Sequence, residues 1–431
     1  MPKLLSGIPL KLRRFKMNNA YEDAKRLYAS YGVDTDKAME LLAQTPISIH
    51  CWQGDDVSGF DQKDGKASDG IQTTGNYPGK ARNFDELTKD FLKAAQHIPG
   101  KKRINLHASY AVFPDGEWVD RDAIEFRHFE PWVTFAQENG FGIDFNPTFF
   151  SHPNVKNGMT LASDDENIRQ FWIKHGQLCR QISQQIGEAL DDNVVCNVWI
   201  PDGMKDTPAD RLSPRLRLKD SLNQIFSEDC PRVIDCVESK VFGIGLESYT
   251  VGSSEFYIAY AAHHPNVYNL LDAGHYHPTE YISEKLSSLL CFNKYLPLHV
   301  TRPVRWDSDH VVSFDDETKA IMSEIANYDA LDRVLIGLDF FDASINRIVA
   351  WVIGTRNAQK ALLWGLLQPK ALLKEAESQA DFSKRLMLQE EAKTLPFVEI
   401  WAEYCRRQGV VSDSTWYDDV MAYEKDILAK R

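Results

Sequence analysis

Acidic and imidazole side chains follow two neighbouring apolar runs in the second half of the chain. The runs are Val267–Leu271 and Leu296–Val300, and both are typical of buried parallel strands. The side chains at or just beyond their ends are Asp272, His275, His277, His299, Asp307 and Asp309. Charged side chains at the carboxyl ends of parallel strands are typical of active sites in α/β folds. We therefore expect a functional site at this edge of the sheet.

Six further strand-like runs carry polar or aromatic side chains near their ends. Along the chain these side chains are His50 and Trp52, His107, Asp144 and Asn146, Asn197 and Trp199, Glu238 and Lys240, and Asp339. Each of them, taken alone, has an ordinary structural explanation as a helix cap, a core histidine or a loop residue. Their convergence on strand ends is what favours a site.

Five of the acids would repel one another if they shared one rim of a barrel. They are Glu238, Asp272, Asp307, Asp309 and Asp339. Two carboxylates about 4 Å apart cost about 4 kcal/mol at an effective dielectric constant of about 20. The single positive charge of Lys240 cannot balance five negative charges. Two divalent cations together with Lys240 would balance them. The absence of sulfur ligands favours Mn²⁺, Mg²⁺, Co²⁺ or Zn²⁺.

Two tryptophans, Trp52 and Trp199, accompany this predicted metal site. Indole faces beside cations suit a sugar, whose C–H face stacks on the ring while its hydroxyls reach the cations and nearby polar groups. Two cations would polarise O1 and O2 of an open-chain aldose and permit hydride transfer between C1 and C2. They would equally activate water for hydrolysis, and the spacing leaves both reactions open.

The order of predicted elements indicates a (β/α)8 barrel, the TIM-barrel fold. Eight strand-like runs alternate with amphipathic helices, and a helical C-terminal extension follows the eighth. A doubly wound sheet is the alternative, but no strand is followed by the glycine-rich GxGxxG turn. We expect a barrel domain at 17–343 and a helical extension at 344–431 that contacts other subunits. Residues 1–16, which are basic and lack acids, are expected to be a leader or an artefactual extension.

Composition excludes several classes of protein. The 431 residues carry a net charge of −13, which argues against a nucleic-acid partner. The longest apolar run is shorter than the 18 or so residues that a membrane helix needs. The seven cysteines include no CxxC pair, which favours a reducing cytoplasm and argues against structural zinc. A long polar stretch, 54–81, is typical of a lid or binding loop.

Eight long motifs closely resemble the L-rhamnose isomerase family. They are HCWQGDDVSGF (from His50), GNYPGKARN (from Gly75), FNPTFFSHP (from Phe145), NVWIPDGMKD (from Asn197), VESKVFGIGLESYTVGS (from Val237), LDAGHYHPTE (from Leu271), RPVRWDSDHV (from Arg302) and IGLDFFDASINRIVAWVIGTRN (from Ile336). The resemblance runs from about Met17 to the C-terminus. It implies a (β/α)8 barrel, usually a homotetramer, that interconverts L-rhamnose and L-rhamnulose in the cytoplasm with Mn²⁺ or a similar cation.

The resemblance also implies roles for individual residues. Glu238, Asp272, His299 and Asp339 match the ligands of a structural cation, and His275, Asp307 and Asp309 match those of a catalytic cation. Lys240 matches a lysine near O1, and Asp339 a partner in proton transfer. Substrate contacts are implied for Trp52, Trp199, His107, Lys240 and Ile71. Ala67, near Ile71 in the loop, predicts a looser apolar cap over C6 and some acceptance of other aldoses.

Two alternatives remain open at this stage. One is a different enzyme on the same barrel, either a two-metal hydrolase or a sugar epimerase. The other is a sugar-binding protein without catalysis, although binding alone does not require two cations. If the protein is an isomerase, two mechanisms are compatible with these residues, a hydride shift and proton transfer through an enediol.

Overall fold

Eight parallel strands close into a barrel in the computed structural model, as the sequence predicts. The structure describes residues 10–61, 73, 75–114, 117–240, 248–277, 279–302 and 309–431. The barrel strands, in chain order, are Ile47–His50, Lys102–His107, Gly142–Asn146, Val194–Val198, Val233–Glu238, Val267–Asp272, Leu296–Val300 and Val334–Leu338. Each strand pairs with the next one along the chain, and the eighth pairs with the first through Ser48 and Gly337. A short antiparallel pair, Gly203–Met204 with Tyr249–Thr250, lies outside the barrel.

The register of the strands brings the chemically active residues to one rim. Asp272 at the end of the sixth strand pairs with His299 on the seventh, and His299 pairs on its other side with Gly337 on the eighth. Because all eight strands run the same way, their carboxyl ends meet at a single opening. The sixth and seventh strands are buried along their whole length, as strands covered on both faces require.

Helices surround the barrel and continue beyond it. Their bounds are Leu10–Ser30, Thr35–Gln44, Phe84–Ala95, Glu130–Asn139, Glu166–Leu190, Leu212–Ile225, Ser254–His263, Ser283–Leu290, Asp316–Asn327, Arg347–Leu366, Lys370–Ser378, Phe382–Ala392, Phe397–Arg407 and Thr415–Asp426. Several begin at an acidic or amide cap, such as Asp34, whose carboxylate accepts the backbone N–H groups of Asp36 and Lys37. Among the described helices, none is long and apolar enough to cross a membrane.

One predicted helix is shorter than its sequence pattern indicates. The pattern predicts a helix from Asp122 to Asn139, but the α-helix begins at Glu130 after two short 3-10 turns. Pro131 lacks an N–H group and therefore favours a helix start at this point. The preceding Arg121 is drawn inward by hydrogen bonds to the carbonyl oxygens of Thr148 and Phe150.

The helix Arg347–Leu366 covers the wall of the barrel where the first and eighth strands meet. Its Trp351 is fully buried and donates its indole N–H to the carbonyl oxygen of His50, 2.9 Å away. Arg347, at the start of this helix, forms a buried ion pair with Asp56 in the loop after the first strand. The helix thus fixes the carboxyl end of the first strand, next to the predicted site.

Candidate active site

Three acidic residues and two histidines converge at the carboxyl rim of the barrel. One ligand atom from each of Glu238, Asp272 and His275 lies within 4.8 Å of the others, and the same holds for Asp272, His299 and Asp339. These five side chains come from the ends of four consecutive strands, the fifth to the eighth. Strand order, rather than proximity along the chain, brings them together.

The imidazole of His299 lies at the centre of three carboxylates. Its Nδ1 atom is 3.2 Å from Oε2 of Glu238 and 3.6 Å from Oδ2 of both Asp272 and Asp339. The Nδ1 atom of His275 approaches the same group, 2.8 Å from Oε1 of Glu238. Four of these five residues are almost fully buried, so water screens their charges poorly.

Glycine makes room for Asp309 beside this group. A Cβ atom placed at Gly274 would lie 2.6 Å from Oδ1 of Asp309 and 2.9 Å from the Cγ2 atom of Thr301. The carboxylate of Asp309 therefore packs directly on the turn between Asp272 and His275. Any larger residue at position 274 would displace that carboxylate.

The pKa values of these groups reflect crowded negative charge. Burial raises the pKa of Asp339 to about 7; Asp272 and Glu238 add to the rise, while His299 opposes it. Burial alone would lower the pKa of His299, but Glu238, Asp272 and Asp339 outweigh burial and raise it well above its ordinary value. For Glu238, burial is likewise outweighed, because His299 and His275 lower its pKa. In the absence of a metal ion, protons thus compensate the surplus negative charge.

Aromatic and basic side chains form the wall next to the acids. The Nζ atom of Lys240 lies 3.3 Å from Nε2 of His275 and 4.9 Å from the centre of the Trp199 ring. Trp52 donates its indole N–H to Oδ1 of Asp339 at 2.8 Å and meets the ring of His107 edge to face at 4.7 Å. One ammonium group, two indoles and an imidazole therefore lie beside the carboxylates.

A second layer of polar residues supports His107. Burial lowers the pKa of this imidazole to about 3, which keeps it neutral at physiological pH. Its Nδ1 atom lies 3.3 Å from Oγ1 of Thr148, whose backbone N–H donates to Nε2 of the buried His175. His175 in turn bonds through Nδ1 to the carbonyl oxygen of Arg121. Thr148 belongs to the FNPTFFSHP motif, but its strand-end position alone does not indicate this role.

A family model described as "L-rhamnose isomerase (RhaA)" matches residues 15–431 of the chain. The chain belongs to the L-rhamnose isomerase family. It is 55% identical over 417 residues to the L-rhamnose isomerase of Mannheimia succiniciproducens, covering 96% of this chain and 99% of that protein. It is 54% identical over 418 residues to an Escherichia coli L-rhamnose isomerase, with the same coverage of both chains. The predicted family and enzyme class are thereby confirmed.

Among solved structures, the chain is similar to one titled "Structure of L-ribulose 3-epimerase". The TM-score is 0.46 at 10% sequence identity, and the match covers 78% of this chain and 97% of that one. The barrel assignment rests instead on the strand pairing of this chain.

The predicted site residues of this L-rhamnose isomerase family member fall into two groups. Most of them lie together at the rim; these are Trp52, His107, Trp199, Glu238, Lys240, Asp272, His275, His299, Asp309 and Asp339. Ile71 and Asp307 lie outside the described residues, as does Ala67. The Nδ1 atom of His275 lies against Glu238, and its Nε2 atom faces Lys240. His275 thus contacts a residue that is predicted to bind the other cation, and the division of ligands between two cations stays a prediction.

Proposed function

We propose that this enzyme interconverts L-rhamnose and L-rhamnulose in their open-chain forms, with the help of two divalent cations at the barrel rim. The observation that carries the proposal is the approach of Glu238, Asp272 and Asp339 to a single imidazole nitrogen of His299, within 3.6 Å. The substrate follows from the family and from the names of relatives that share more than half of their residues with the chain.

The donor atoms at the rim suit a divalent cation. Oδ2 of Asp272 and Nδ1 of His299 are buried and have no hydrogen-bond partner within the described part of the chain. Carboxylate oxygen and imidazole nitrogen are ligand types that Mn²⁺, Co²⁺ and Zn²⁺ accept. We assign Glu238, Asp272, His299 and Asp339 to one cation, and His275 with Asp307 and Asp309 to the other. Mn²⁺ is our first choice for both, with Zn²⁺, Co²⁺ or Mg²⁺ as substitutes.

The cations, when bound, supply Lewis acidity at the O1 and O2 oxygens of the sugar. From aldose to ketose, a hydrogen moves with its electron pair from C2 to C1, and a proton moves from O2–H to O1. We assign a part in moving that proton to Asp339, whose carboxylate lies at the rim with Oδ2 3.6 Å from Nδ1 of His299. Enediol chemistry would instead move the C2 hydrogen as a proton.

The surrounding side chains position the sugar and exclude water. The ammonium group of Lys240, held over Trp199, would donate to O1. His107 is neutral, so it would offer one donor and one acceptor to the sugar hydroxyls. The indoles of Trp52 and Trp199 would stack on the C–H face of the sugar, and Ile71 would approach its C6 methyl end.

The test is ketose formation by the full chain after treatment with a chelator. We expect L-rhamnulose from L-rhamnose on addition of Mn²⁺, and no ketose without added metal. An epimeric sugar or a hydrolysis product without ketose would favour the alternative enzymes. Ketose formation unchanged by thorough chelation would contradict the role of the cations.

We also propose that the enzyme is a cytoplasmic homotetramer. Several large apolar side chains in the C-terminal extension are exposed, and three of them, Phe382, Leu386 and Met387, share one helix. Exposed apolar groups on one helix favour a subunit contact. The seven cysteines are all free, in keeping with a reducing compartment. Light scattering should give four times the chain mass, and a monomer at micromolar concentration would contradict the assembly.

A further inference from the structure

Each of three carboxylates at the rim accepts an N–H group at one of its two oxygens. Asp339 accepts the indole N–H of Trp52 at Oδ1, 2.8 Å away. Glu238 accepts the amide of Asn197 at Oε2, 2.5 Å away, and Asp272 accepts the backbone N–H of Gly274 at Oδ1, 2.6 Å away. The donors come from the protein wall around the cluster.

The second oxygen of each carboxylate turns toward an imidazole nitrogen. Oδ2 of Asp339 and Oδ2 of Asp272 both lie 3.6 Å from Nδ1 of His299. Oε1 of Glu238 lies 2.8 Å from Nδ1 of His275, while its Oε2, which accepts from Asn197, also lies 3.2 Å from Nδ1 of His299. Because the terminal torsion of a carboxylate is soft, a fixed donor on one oxygen determines where the other oxygen points. The N–H donors thus fix the direction in which Asp339 and Asp272 present their remaining oxygens, and the direction in which Glu238 presents its Oε2 atom to His299.

We propose that Trp52 and Asn197 are positioning residues that hold Asp339 and Glu238 in the orientation required for cation binding. This inference rests on the proposed function and deepens it, because it gives Trp52 a task besides that of a sugar-stacking wall. Groups that hydrogen-bond to metal ligands commonly change metal affinity 10- to 100-fold when they are removed.

The packing around both donors fixes their direction. Trp52 is only 3% exposed and lies between the rings of His50 and His107, whose centres are 5.1 Å and 4.7 Å from its own. Asn197 is also 3% exposed, and its strand pairs directly with the strand that carries Glu238. Neither donor can turn away without disturbing buried neighbours.

Trp199 provides a matched control for Trp52. It is a second buried indole at the same rim, but its Nε1 atom has no hydrogen-bond partner among the residues that the structure describes. Replacing either tryptophan by phenylalanine keeps an aromatic ring and removes one N–H group. Only the change at Trp52 removes a hydrogen bond to a proposed metal ligand.

The experiment measures Mn²⁺ affinity by titration calorimetry on the chelator-treated full chain. We expect Trp52→Phe and Asn197→Leu to weaken Mn²⁺ binding about 10- to 100-fold, and Trp199→Phe to change it less than about threefold. The thermal unfolding midpoint of each metal-free variant distinguishes a positioning effect from misfolding, and Asn197→Leu carries the test if Trp52→Phe does not fold.

Wild-type affinity in both Trp52→Phe and Asn197→Leu would overturn the inference. Equal weakening by Trp52→Phe and Trp199→Phe would also overturn it, because ring packing rather than the N–H group would then matter. If the wild-type chain bound no Mn²⁺, Co²⁺ or Zn²⁺, the proposed function itself would fail, and this outcome is distinct from the other two.

Discussion

The Nδ1 atom of His299 lies 3.2 Å from Oε2 of Glu238, inside a ring of three carboxylates. Glu238, Asp272 and Asp339 raise the pKa of this imidazole in spite of its burial. An imidazolium ion therefore balances part of the negative charge in the metal-free protein. A divalent cation would take over that role, and the proton would have to leave.

Metal binding should release protons. In the metal-free protein His299 holds a proton, and Asp339, with a pKa of about 7, is largely protonated at pH 6.5. Cation binding requires both groups without their protons. Calorimetric titration with Mn²⁺ at pH 6.5, in buffers of different ionisation enthalpy, should give at least one proton released per subunit. Affinity should fall as the pH drops below about 7, and binding without proton release would contradict this picture.

Asp272→Asn should abolish metal binding without destabilising the metal-free protein. Asparagine keeps an oxygen that accepts the N–H of Gly274, and it removes one of the crowded negative charges. We expect an unchanged or higher unfolding midpoint without metal, and loss of the increase that Mn²⁺ gives to the wild type. Asp316→Asn is the control, since Asp316 is fully exposed and should keep the metal effect. A variant that still gains stability from Mn²⁺ would remove Asp272 from the ligand set.

The buried ion pair between Arg121 and Asp61 should anchor the start of the loop after the first strand. The Nε atom of Arg121 lies 2.7 Å from Oδ2 of Asp61, and both side chains are less than a tenth exposed. Asp61→Asn would leave a buried guanidinium without its counter-charge, which costs about 3–5 kcal/mol. Because Arg121 also binds the carbonyl oxygens of Thr148 and Phe150, the loss should extend to the support of His107.

Urea denaturation of the Asp61→Asn variant measures that loss. Asp23→Asn is its control, because Asp23 pairs with Arg26 on the exposed surface, where an ion pair contributes about 0–1 kcal/mol. Equal unfolding free energies for the two variants would show that the buried pair does not stabilise the loop.

Asp55 should make stability depend on pH between about 4 and about 7. Burial raises the pKa of this carboxyl to about 7, although the Tyr110 hydroxyl and the Gly59 N–H both donate to it. An unfolded aspartate has a pKa of about 3.9, so the neutral form is favoured in the folded protein. This contribution is fully present below about pH 4 and is lost as the pH rises through about 7.

Asp55→Asn isolates this effect from other titrating groups. The free energy of unfolding, measured with urea on metal-free protein, should fall more steeply with pH in the wild type than in the variant over that range. Parallel curves for the two proteins would contradict the raised pKa. The stability that depends on Asp55 is that of the loop after the first strand. The next residue in this loop, Asp56, pairs with Arg347.

Much of the fold and of the candidate site is readable from the sequence. The eight strands show as short apolar runs, and the acids and histidines stand at their ends because a parallel barrel gathers those ends on one rim. That rule suffices to bring Glu238, Asp272, His299 and Asp339 together. Lys240 and Trp199, which the resemblance names as separate substrate contacts, lie together after neighbouring strands.

The sequence does not predict the contacts between loops that are distant along the chain. The pair Arg121–Asp61 and the contact from Thr148 to His175 join segments that no periodicity relates, and each depends on packing in three dimensions. The helix expected from Asp122 begins only at Glu130, because Pro131 lacks the N–H group that a helix interior needs. The orientation of Trp52 toward Asp339 likewise depends on barrel closure between the first and eighth strands.

The most direct test of the central claim is anomalous diffraction at the manganese edge from crystals of the full chain soaked in Mn²⁺. The account predicts a strong peak among Glu238, Asp272, His299 and Asp339, within coordination distance of their oxygen and nitrogen atoms. A map without a peak at that position, from a chain that nevertheless forms L-rhamnulose, would contradict the assignment of this rim as the metal centre.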